Sequence, residues 1–155
     1  MGKLFVCQNV DTTTAMSAID GRTYTYASFM LGFTPASSVL WDFYGTPTGF
    51  NVQPESQLVG LDPLIAAPAN ANALLTSTGV YAREFGRCYI AGSYVGACAA
   101  AVNSDPYNAH AFPLTTYTRT LVISGSGILD GGTVSANGGP PPASLAPLSA
   151  AIVFR

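Results

Sequence analysis

The stretch "GRCYIAGSYVGACAAAVN", residues 86–103, decides the fold, because it places two of the three cysteines on either side of a glycine-bearing loop. Strand-like residues flank this loop, so the stretch predicts a β-hairpin whose loop is centred on Ser93. In that register Cys88 and Cys98 lie directly opposite each other. Paired residues of a hairpin have Cβ atoms about 4.5–5.5 Å apart, and a disulfide needs only slightly less.

The favoured interpretation of this hairpin is therefore a cross-strand disulfide. Such a bridge closes a short loop and would stabilise the fold by about 2–3 kcal/mol in the chain-entropy description. The same register predicts two further cross-strand pairs, Phe85 with Ala101 and Glu84 with Val102.

Other roles for the cysteines stay open at this stage. Cys88 and Cys98 could be two buried free thiols. A zinc site needs four ligands, which Cys7 and His110 would complete only if a remote strand returned to the hairpin. A catalytic cysteine would need His110, the single histidine of the chain, within reach. We predict no metal and no cofactor, and we interpret Cys7, in the apolar segment "LFVC", as a buried free thiol.

The composition restricts the class of protein and its partners. Only 9% of the 155 residues are charged and the formal net charge is −2, whereas an ordinary soluble domain is about 25% charged. Clustered Lys and Arg are absent, which argues against nucleic acid as a partner. Low charge suits a secreted, wall-associated or self-assembling protein, because little long-range repulsion opposes close contact. We therefore expect an extracellular or cell-surface location and a homo-oligomer.

The sequence gives no sign of a membrane anchor or an export signal. No segment approaches the roughly 18 consecutive apolar residues of a membrane span. The N-terminal "MGKLFVCQNV" has too few apolar residues for a signal peptide. Because the composition nevertheless looks extracellular, we expect Met1 to open a truncated or subcloned piece of a longer protein.

Hydrophobic patterning predicts a mainly β fold, an antiparallel β-sandwich domain preceded by a strand–helix–strand segment. Residues 3–8 read as a strand, residues 13–32 as a helix with apolar residues at i+3 and i+4, and "SSVLWDFYG" as a second strand. Prolines at positions 47, 54, 63 and 68 exclude long regular elements. From residue 79 onward short strands alternate with Gly, Pro and Asn turns, as in a sandwich. The predicted domains are residues 1–78 and 79–155.

Two carboxylates are the best candidates for catalysis, because glycoside hydrolysis uses a facing pair of them. Asp42 and Glu55 lie near aromatic residues that could stack on a sugar, namely Trp41, Tyr44 and Phe50. We predict Asp42 and Glu55 as catalytic candidates and the three aromatic residues as substrate-binding candidates. The competing interpretation is a pair of turn or cap carboxylates beside core aromatics.

The remaining polar residues have simpler interpretations. Glu84 stands between two arginines in "YAREFGR", which predicts an ion pair along the strand with Arg83 or Arg87. Asp105, which precedes a proline, is typical of a turn. His110 is expected in a loop or at a sheet edge. Four tyrosines could form a sugar-binding platform instead of filling the faces of a sheet: Tyr89, Tyr94, Tyr107 and Tyr117.

A long run in the second half carries a family resemblance: "GVYAREFGRCYIAG", "ACAAAVNSDP", "YTRTLVISGSGILDGGTVS" and "PPASLAPLSAAIVF". It resembles the C-terminal β domain of glycoside hydrolases built on a TIM barrel, and residues 3–45 resemble the end of the barrel. The matching features are an Arg-x-Phe strand, a strand ending in Val-Asn, a Tyr-Arg strand and a final apolar strand. They correspond to Arg83 to Phe85, Val102 and Asn103, Tyr117 and Arg119, and Ala150 to Phe154.

The resemblance implies a carbohydrate-associated accessory domain. In that family the catalytic carboxylates lie at the C-terminal ends of central barrel strands, which would precede Met1, so no matched residue is carried over as catalytic. Asp42, at the end of a would-be barrel strand, is the one position that the family context favours. The expected function is a carbohydrate-associated accessory β-sandwich that is non-catalytic by itself. The alternatives are a small glycoside hydrolase using Asp42 and Glu55, or a structural subunit of an extracellular assembly.

Overall fold

The computed structural model describes residues 5–8, 18–35, 38–41, 43–46, 49–58, 65–125 and 127–155. The described strands are β1 (Phe5–Gln8), β2 (Ser38–Trp41), β3 (Phe43–Thr46), β4 (Gly49–Val52), β5 (Tyr81–Ile90), β6 (Ser93–Asn103), β7 (His110–Ala111), β8 (Arg119–Thr120), β9 (Val122–Ser124), β10 (Thr133–Ser135), β11 (Ser144–Leu145) and β12 (Ser149–Phe154). Helix α1 spans Ala18–Gly32, and short 3-10 turns span Pro54–Gln57, Ala71–Leu74 and Ile128–Asp130.

The fold is mainly β with antiparallel sheets and one α-helix within the described ranges. The central sheet has the strand order β5-β6-β12-β8, and all its described pairs are antiparallel. The other described sheets are two-stranded ribbons, β3 with β4, β7 with β11 and β9 with β10, and the parallel pair β1 with β2. The mainly β class is thus confirmed. These sheets do not close on one another, so the sandwich architecture stays a prediction.

The β5–β6 hairpin forms, but its turn has two residues instead of the five predicted around Ser93. The turn consists of Ala91 and Gly92, with φ values of 47° and 80°. Two consecutive positive φ angles are typical of a two-residue turn whose twist matches that of the flanking strands. Ser93 already pairs with Ile90 as the first residue of β6. The sequence "AGSYV" therefore contributes three of its residues to a strand.

This shorter turn changes the register of the whole hairpin. Phe85 pairs with Cys98 and Glu84 with Ala99, so the predicted pairs with Ala101 and Val102 were wrong. A register is fixed by the turn. Because the centre of the turn lies one and a half residues earlier than predicted, the partners of Phe85 and Glu84 are displaced by three positions.

The disulfide between Cys88 and Cys98 is present although the two residues are not a directly opposed pair. Cys88 pairs with Gly96, because Val95 is an extra residue of β6 between this pair and the pair Tyr89–Tyr94. A second irregularity, which sets Gly86 and Arg87 against Ala97, restores the register at Phe85. The Cα atoms of the two cysteines are 5.9 Å apart, inside the range that a disulfide bridges. Both cysteines are fully buried. The shift places Cys88 one residue nearer to Cys98 than an uninterrupted register would.

The first part of the chain contains a strand, a helix and a strand, in the predicted order. Strands β1 and β2 pair in parallel, and α1 lies between them in sequence, as a parallel pair requires a crossover. The predicted helix over 13–32 agrees with α1 at its C-terminal end, whereas residues 13–17 lie outside the described ranges. Within the described residues, no helix combines the length and the apolar character needed to span a membrane.

Helix α1 covers one face of the central sheet. Its buried residues Tyr26, Phe29 and Met30 belong to the same apolar cluster as Phe85 and the disulfide. Beyond this face, the cluster includes Leu58 and Ala136, which lie outside both the helix and the sheet. The predicted division between residues 1–78 and 79–155 is not tested by these contacts and stays a prediction.

The opposite face of the sheet is also buried. In β6 the residues Ala99 and Ala101 face a second cluster, which contains Phe112, Tyr117 and Leu145. The alternate residues of the same strand face α1. Burial on both faces explains why the segment "ACAAAV" shows no polar alternation, since a strand covered on both sides reads as a continuous apolar run.

Candidate functional site

The predicted catalytic carboxylate Glu55 is buried against an arginine. It lies in the 3-10 turn Pro54–Gln57 and is 1% exposed. Arg22, on α1, donates from Nε to Glu55 Oε1 over 2.7 Å and from Nη2 to Oε2 over 2.5 Å. The third donor, Arg22 Nη1, reaches the carbonyl of Gly125 at 2.8 Å. The arginine therefore joins the helix, the 3-10 turn and the loop after β9.

This geometry is typical of a buried ion pair that stabilises the fold. Both carboxylate oxygens accept hydrogen bonds from one guanidinium in the bidentate arrangement that carboxylate and arginine favour. A general acid or nucleophile of a glycosidase has to reach the glycosidic bond, and a side chain that is 1% exposed offers no such access. The catalytic role of Glu55 stays a prediction.

The other residues of the predicted sugar site lie partly outside the described ranges. Asp42, the second catalytic candidate, is not among the described residues. The backbones of Trp41, Tyr44 and Phe50 lie on β2, β3 and β4. Trp41 pairs with Gln8, while β3 and β4 pair in a tight ribbon. Their substrate-binding role stays a prediction.

Arg83, which the sequence reasoning linked to Glu84, caps the C-terminus of α1. It is buried, and its Nη2 donates to the carbonyl of Ala66 at 2.8 Å. Its Nη1 donates to three carbonyls at the end of the helix, those of Met30, Leu31 and Phe33. The last carbonyls of a helix have no partner within the helix, so a cation there satisfies them and the helix dipole together. Burial lowers the pKa of this guanidinium.

A sequence signal for both buried arginines existed. Arg22 belongs to the i+3 and i+4 series that runs from Ile19 to Tyr26. Arg83 lies two residues before Phe85 and therefore on the same, buried face of β5. A cation on an otherwise apolar face needs a buried partner. Periodicity therefore predicts that both arginines face the interior, but it does not predict which groups they bind.

Glu84 makes its ion pair on the other face of β5, with Arg155 at 3.3 Å. The predicted pair with Arg83 or Arg87 was therefore wrong, because neighbours along a strand alternate between faces. Tyr117 Oη donates to Glu84 Oε2 over 2.7 Å, and the Arg155 guanidinium lies 5.0 Å from the centre of the Tyr117 ring. Burial raises the pKa of Tyr117, and the hydrogen bond to Glu84 raises it further. Tyr117 is buried and cannot serve as a sugar platform.

A second polar cluster organises the chain after β6. Asn103 is fully buried, and its Nδ2 donates to three carbonyls, those of Asn108, Leu145 and Ala146. Its Oδ1 accepts the N–H of Asp105 at 3.0 Å. One buried amide thus contacts both ends of residues 104–109 and the segment before β12. We call residues 104–109 the β6–β7 loop.

Asp105 and His110 complete this cluster. Asp105 Oδ1 accepts the backbone N–H of Tyr107 at 2.8 Å and of Asn108 at 3.1 Å, as a turn carboxylate does. Asp105 Oδ2 lies 3.0 Å from His110 Nε2, and His110 Nδ1 lies 2.8 Å from the carbonyl of Thr78. The hydrogen bond from His110, followed by the Tyr107 N–H, lowers the pKa of Asp105. The bond to Asp105, followed by that to Thr78, raises the pKa of His110.

Two tyrosines are the aromatic side chains most open to a ligand among those described. Tyr94, at the start of β6, is 62% exposed, and Tyr107 in the β6–β7 loop is 85% exposed. The Tyr94 ring meets Tyr89 edge to face, with centroids 5.6 Å apart. The two exposed tyrosines flank opposite ends of β6, whose 11 residues span roughly 30 Å at the usual strand rise. They cannot share one small binding site.

The arrangement of the described residues offers no metal centre. Cys88 and Cys98 are joined to each other, and nowhere in the described ranges do three or more His, Cys, Asp or Glu side chains gather as a cation site would require. The side chain of Cys7 lies outside the described part. No protein-family model, curated protein or solved structure matches the chain. The resemblance to glycoside hydrolases therefore stays a prediction.

Proposed function

We propose that this chain is a non-catalytic, carbohydrate-associated β domain of an extracellular or cell-surface protein. The burial of Glu55 in its bidentate pair with Arg22 carries the non-catalytic part. A two-carboxylate hydrolase needs two accessible acids, and this one is enclosed. A buried disulfide is compatible with an oxidising compartment, where such bonds persist.

The exposed tyrosines support the carbohydrate part. A tyrosine ring offers a flat apolar face with a polar tip and loses little conformational entropy on binding. Tyr94 is held against Tyr89 at the end of a hairpin whose tip is anchored by a hydrogen bond from the Ala91 N–H to the carbonyl of Gln57. We assign Tyr94 as the contact with the sugar. A neutral polysaccharide fits a chain in which only 9% of the residues are charged.

Affinity electrophoresis through gels containing a soluble neutral glucan or xylan tests the binding. We expect the wild type to be retarded and Tyr94→Ala to migrate as in a gel without polysaccharide. Tyr107→Ala is the matched control, because it removes an even more exposed tyrosine at the far end of β6. Equal loss in both variants, or free migration of the folded wild type in every polysaccharide, contradicts the assignment.

A reducing-sugar assay separates this proposal from the small hydrolase that would use Asp42 and Glu55. We expect no release by the wild type above a heat-treated sample. Release that disappears in Asp42→Asn would establish the hydrolase and overturn the non-catalytic proposal. Asp20→Asn serves as the control, because it removes a carboxylate from the first turn of α1 instead.

A structural subunit of an extracellular assembly is the second candidate, favoured by the low charge. Exposed apolar residues such as Leu129, 77% exposed, are available for contacts between copies. Sedimentation velocity at several concentrations tests this candidate. A mass that rises with concentration, without retardation by polysaccharide, would favour the subunit. A monomer throughout would exclude the proposed homo-oligomer.

A further inference from the structure

His110 has a polar partner at each of its two ring nitrogens, and both partners are acceptors. The carbonyl oxygen of Thr78, 2.8 Å from Nδ1, can only accept a hydrogen bond. The Asp105 carboxylate, 3.0 Å from Nε2, also accepts when it is ionised. Two acceptors require two donors, and only the imidazolium form of histidine carries a proton on both nitrogens.

Asp105 is held in its ionised form independently of His110. Its carboxylate accepts the N–H groups of Tyr107 and Asn108 and the side-chain amide of Asn108, at 2.8, 3.1 and 3.1 Å. Hydrogen bonds of this kind favour the charged form of a carboxylate. The acceptor opposite Nε2 is therefore a carboxylate over the range in which His110 titrates.

Among the residues that the structure describes, Asp105 is the charged group that acts on His110. On β11 its neighbours are Ser144 and Leu145, and on the turn before β5 they are Thr78 and Gly79. None of these side chains titrates. Gly79 has a φ of +85°, and a Cβ there would lie 2.8 Å from His110 Nδ1. The close approach of the turn to the imidazole thus depends on glycine.

We propose that protonated His110 is a latch that fastens the turn Thr76–Gly79 to the β6–β7 loop, and that deprotonation of the imidazole releases the turn. The latch joins segments that lie 32 positions apart at Thr78 and five apart at Asp105. Neutral His110 has a single N–H, so one of its two contacts becomes a repulsion between two acceptors. The N–H stays with Asp105, because a bond to a charged acceptor is the stronger one. The contact with Thr78 opens.

The single histidine of the chain makes the titration unambiguous. In wild-type protein labelled with 15N, the imidazole nitrogens are followed by NMR from pH 5 to 9. We expect both nitrogens to be protonated at pH 6.5, where an unperturbed histidine is about half neutral, and the Nε2–H tautomer to form at higher pH. A midpoint at or below that value, or the Nδ1–H tautomer, overturns the proposal.

Amide exchange tests whether the protonation acts as a latch. The protection factor of Gly79, whose N–H donates to the carbonyl of Thr76, should fall several-fold at the pH where the imidazole titrates. Ile152, in the centre of the sheet, is the internal control and should keep its protection. In His110→Gln the step at Gly79 should disappear. A protection factor of Gly79 that stays level across the wild-type titration overturns the latch even if the imidazole titrates as expected.

Discussion

The pairs Arg22–Glu55 and His110–Asp105 differ chiefly in burial. Arg22 and Glu55 have side chains that are 8% and 1% exposed, whereas those of His110 and Asp105 are each 26% exposed. The first pair is almost completely shielded from water, so loss of one partner leaves an uncompensated charge in the interior. The second pair is in contact with solvent and contains a histidine, the side chain whose unperturbed pKa lies closest to neutrality. We therefore expect the buried pair to make a large contribution to stability and the exposed pair to make one that changes with pH.

The largest expected effect is the loss of the buried pair. Glu55→Gln should lower the free energy of unfolding by about 3–5 kcal/mol, because Arg22 then stays charged and buried without its counter-ion. Urea unfolding followed by circular dichroism measures this. The double variant Arg22→Met, Glu55→Gln should regain part of the loss. A single-variant loss below about 1 kcal/mol would show that burial does not distinguish the two pairs.

Loss of the Cys88–Cys98 disulfide should have the second-largest effect on the free energy of unfolding. Replacing both Cys88 and Cys98 by Ala should cost about 3 kcal/mol, the value for closure of a short loop. The measurement is urea unfolding of this variant beside the oxidised wild type. Thiol counting of the denatured, unreduced wild type is the control and should find one reactive cysteine. Three reactive thiols would contradict the disulfide.

The exposed pair should show itself in the dependence of stability on pH. The pKa of Asp105 is lowered in the fold, so its contribution is complete above about pH 3.9, the pKa of an unfolded Asp, and is lost as pH falls through the folded value. The pKa of His110 is raised, so its contribution is complete below about pH 6.5 and is lost as pH rises through the folded value.

The difference in thermal midpoint between wild type and His110→Gln isolates this contribution. It should be greatest from about pH 4 to 6.5, the window between the two unfolded pKa values, and should shrink on either side. A difference that is constant from pH 4 to 9 would mean that the exposed pair is as fixed as the buried one.

The smallest effect is expected at the most exposed pair, Glu84 with Arg155, whose side chains are about half exposed. Glu84→Gln should change the free energy of unfolding by less than about 1 kcal/mol. The amide oxygen of glutamine still accepts the bond from Tyr117, so no buried hydroxyl is left unpaired. Because it is the same substitution as Glu55→Gln, it is also the matched control for that variant. If Glu84→Gln lowered the free energy of unfolding as much as Glu55→Gln, burial would not explain the difference expected between the two ion pairs.

Elements with a local cause were predictable. The end of α1 at Gly32, the mainly β character after residue 79 and the hairpin around Cys88 and Cys98 follow from periodicity and turn residues. The register of the hairpin was mistaken because Ala91 adopts a positive φ, which is uncommon for a residue with a Cβ. The register shifts on the two sides of Cys88 likewise have no clear sequence signature.

The candidate site was less predictable than the fold. The interpretation of Glu55 as a catalytic acid depended on nearby aromatics in sequence, whereas its partner Arg22 lies 33 positions away. Glu84 illustrates the same limit, because its cation, Arg155, is 71 positions distant. Proximity in sequence is a poor guide to the partner of a charge, since strands alternate faces and loops return from afar.

By itself the sequence determined a low-charge, mainly β chain with one helix and a disulfide-bearing hairpin, because these depend on composition and on local periodicity. Only the tertiary structure decided which polar groups meet. Three contacts join segments remote in sequence: the pairing of Arg22 with Glu55, the cap that Arg83 forms on α1 and the contact of His110 with Thr78. The physical reason is that a buried or bridged charge is stabilised by whichever partner the fold brings within hydrogen-bonding distance.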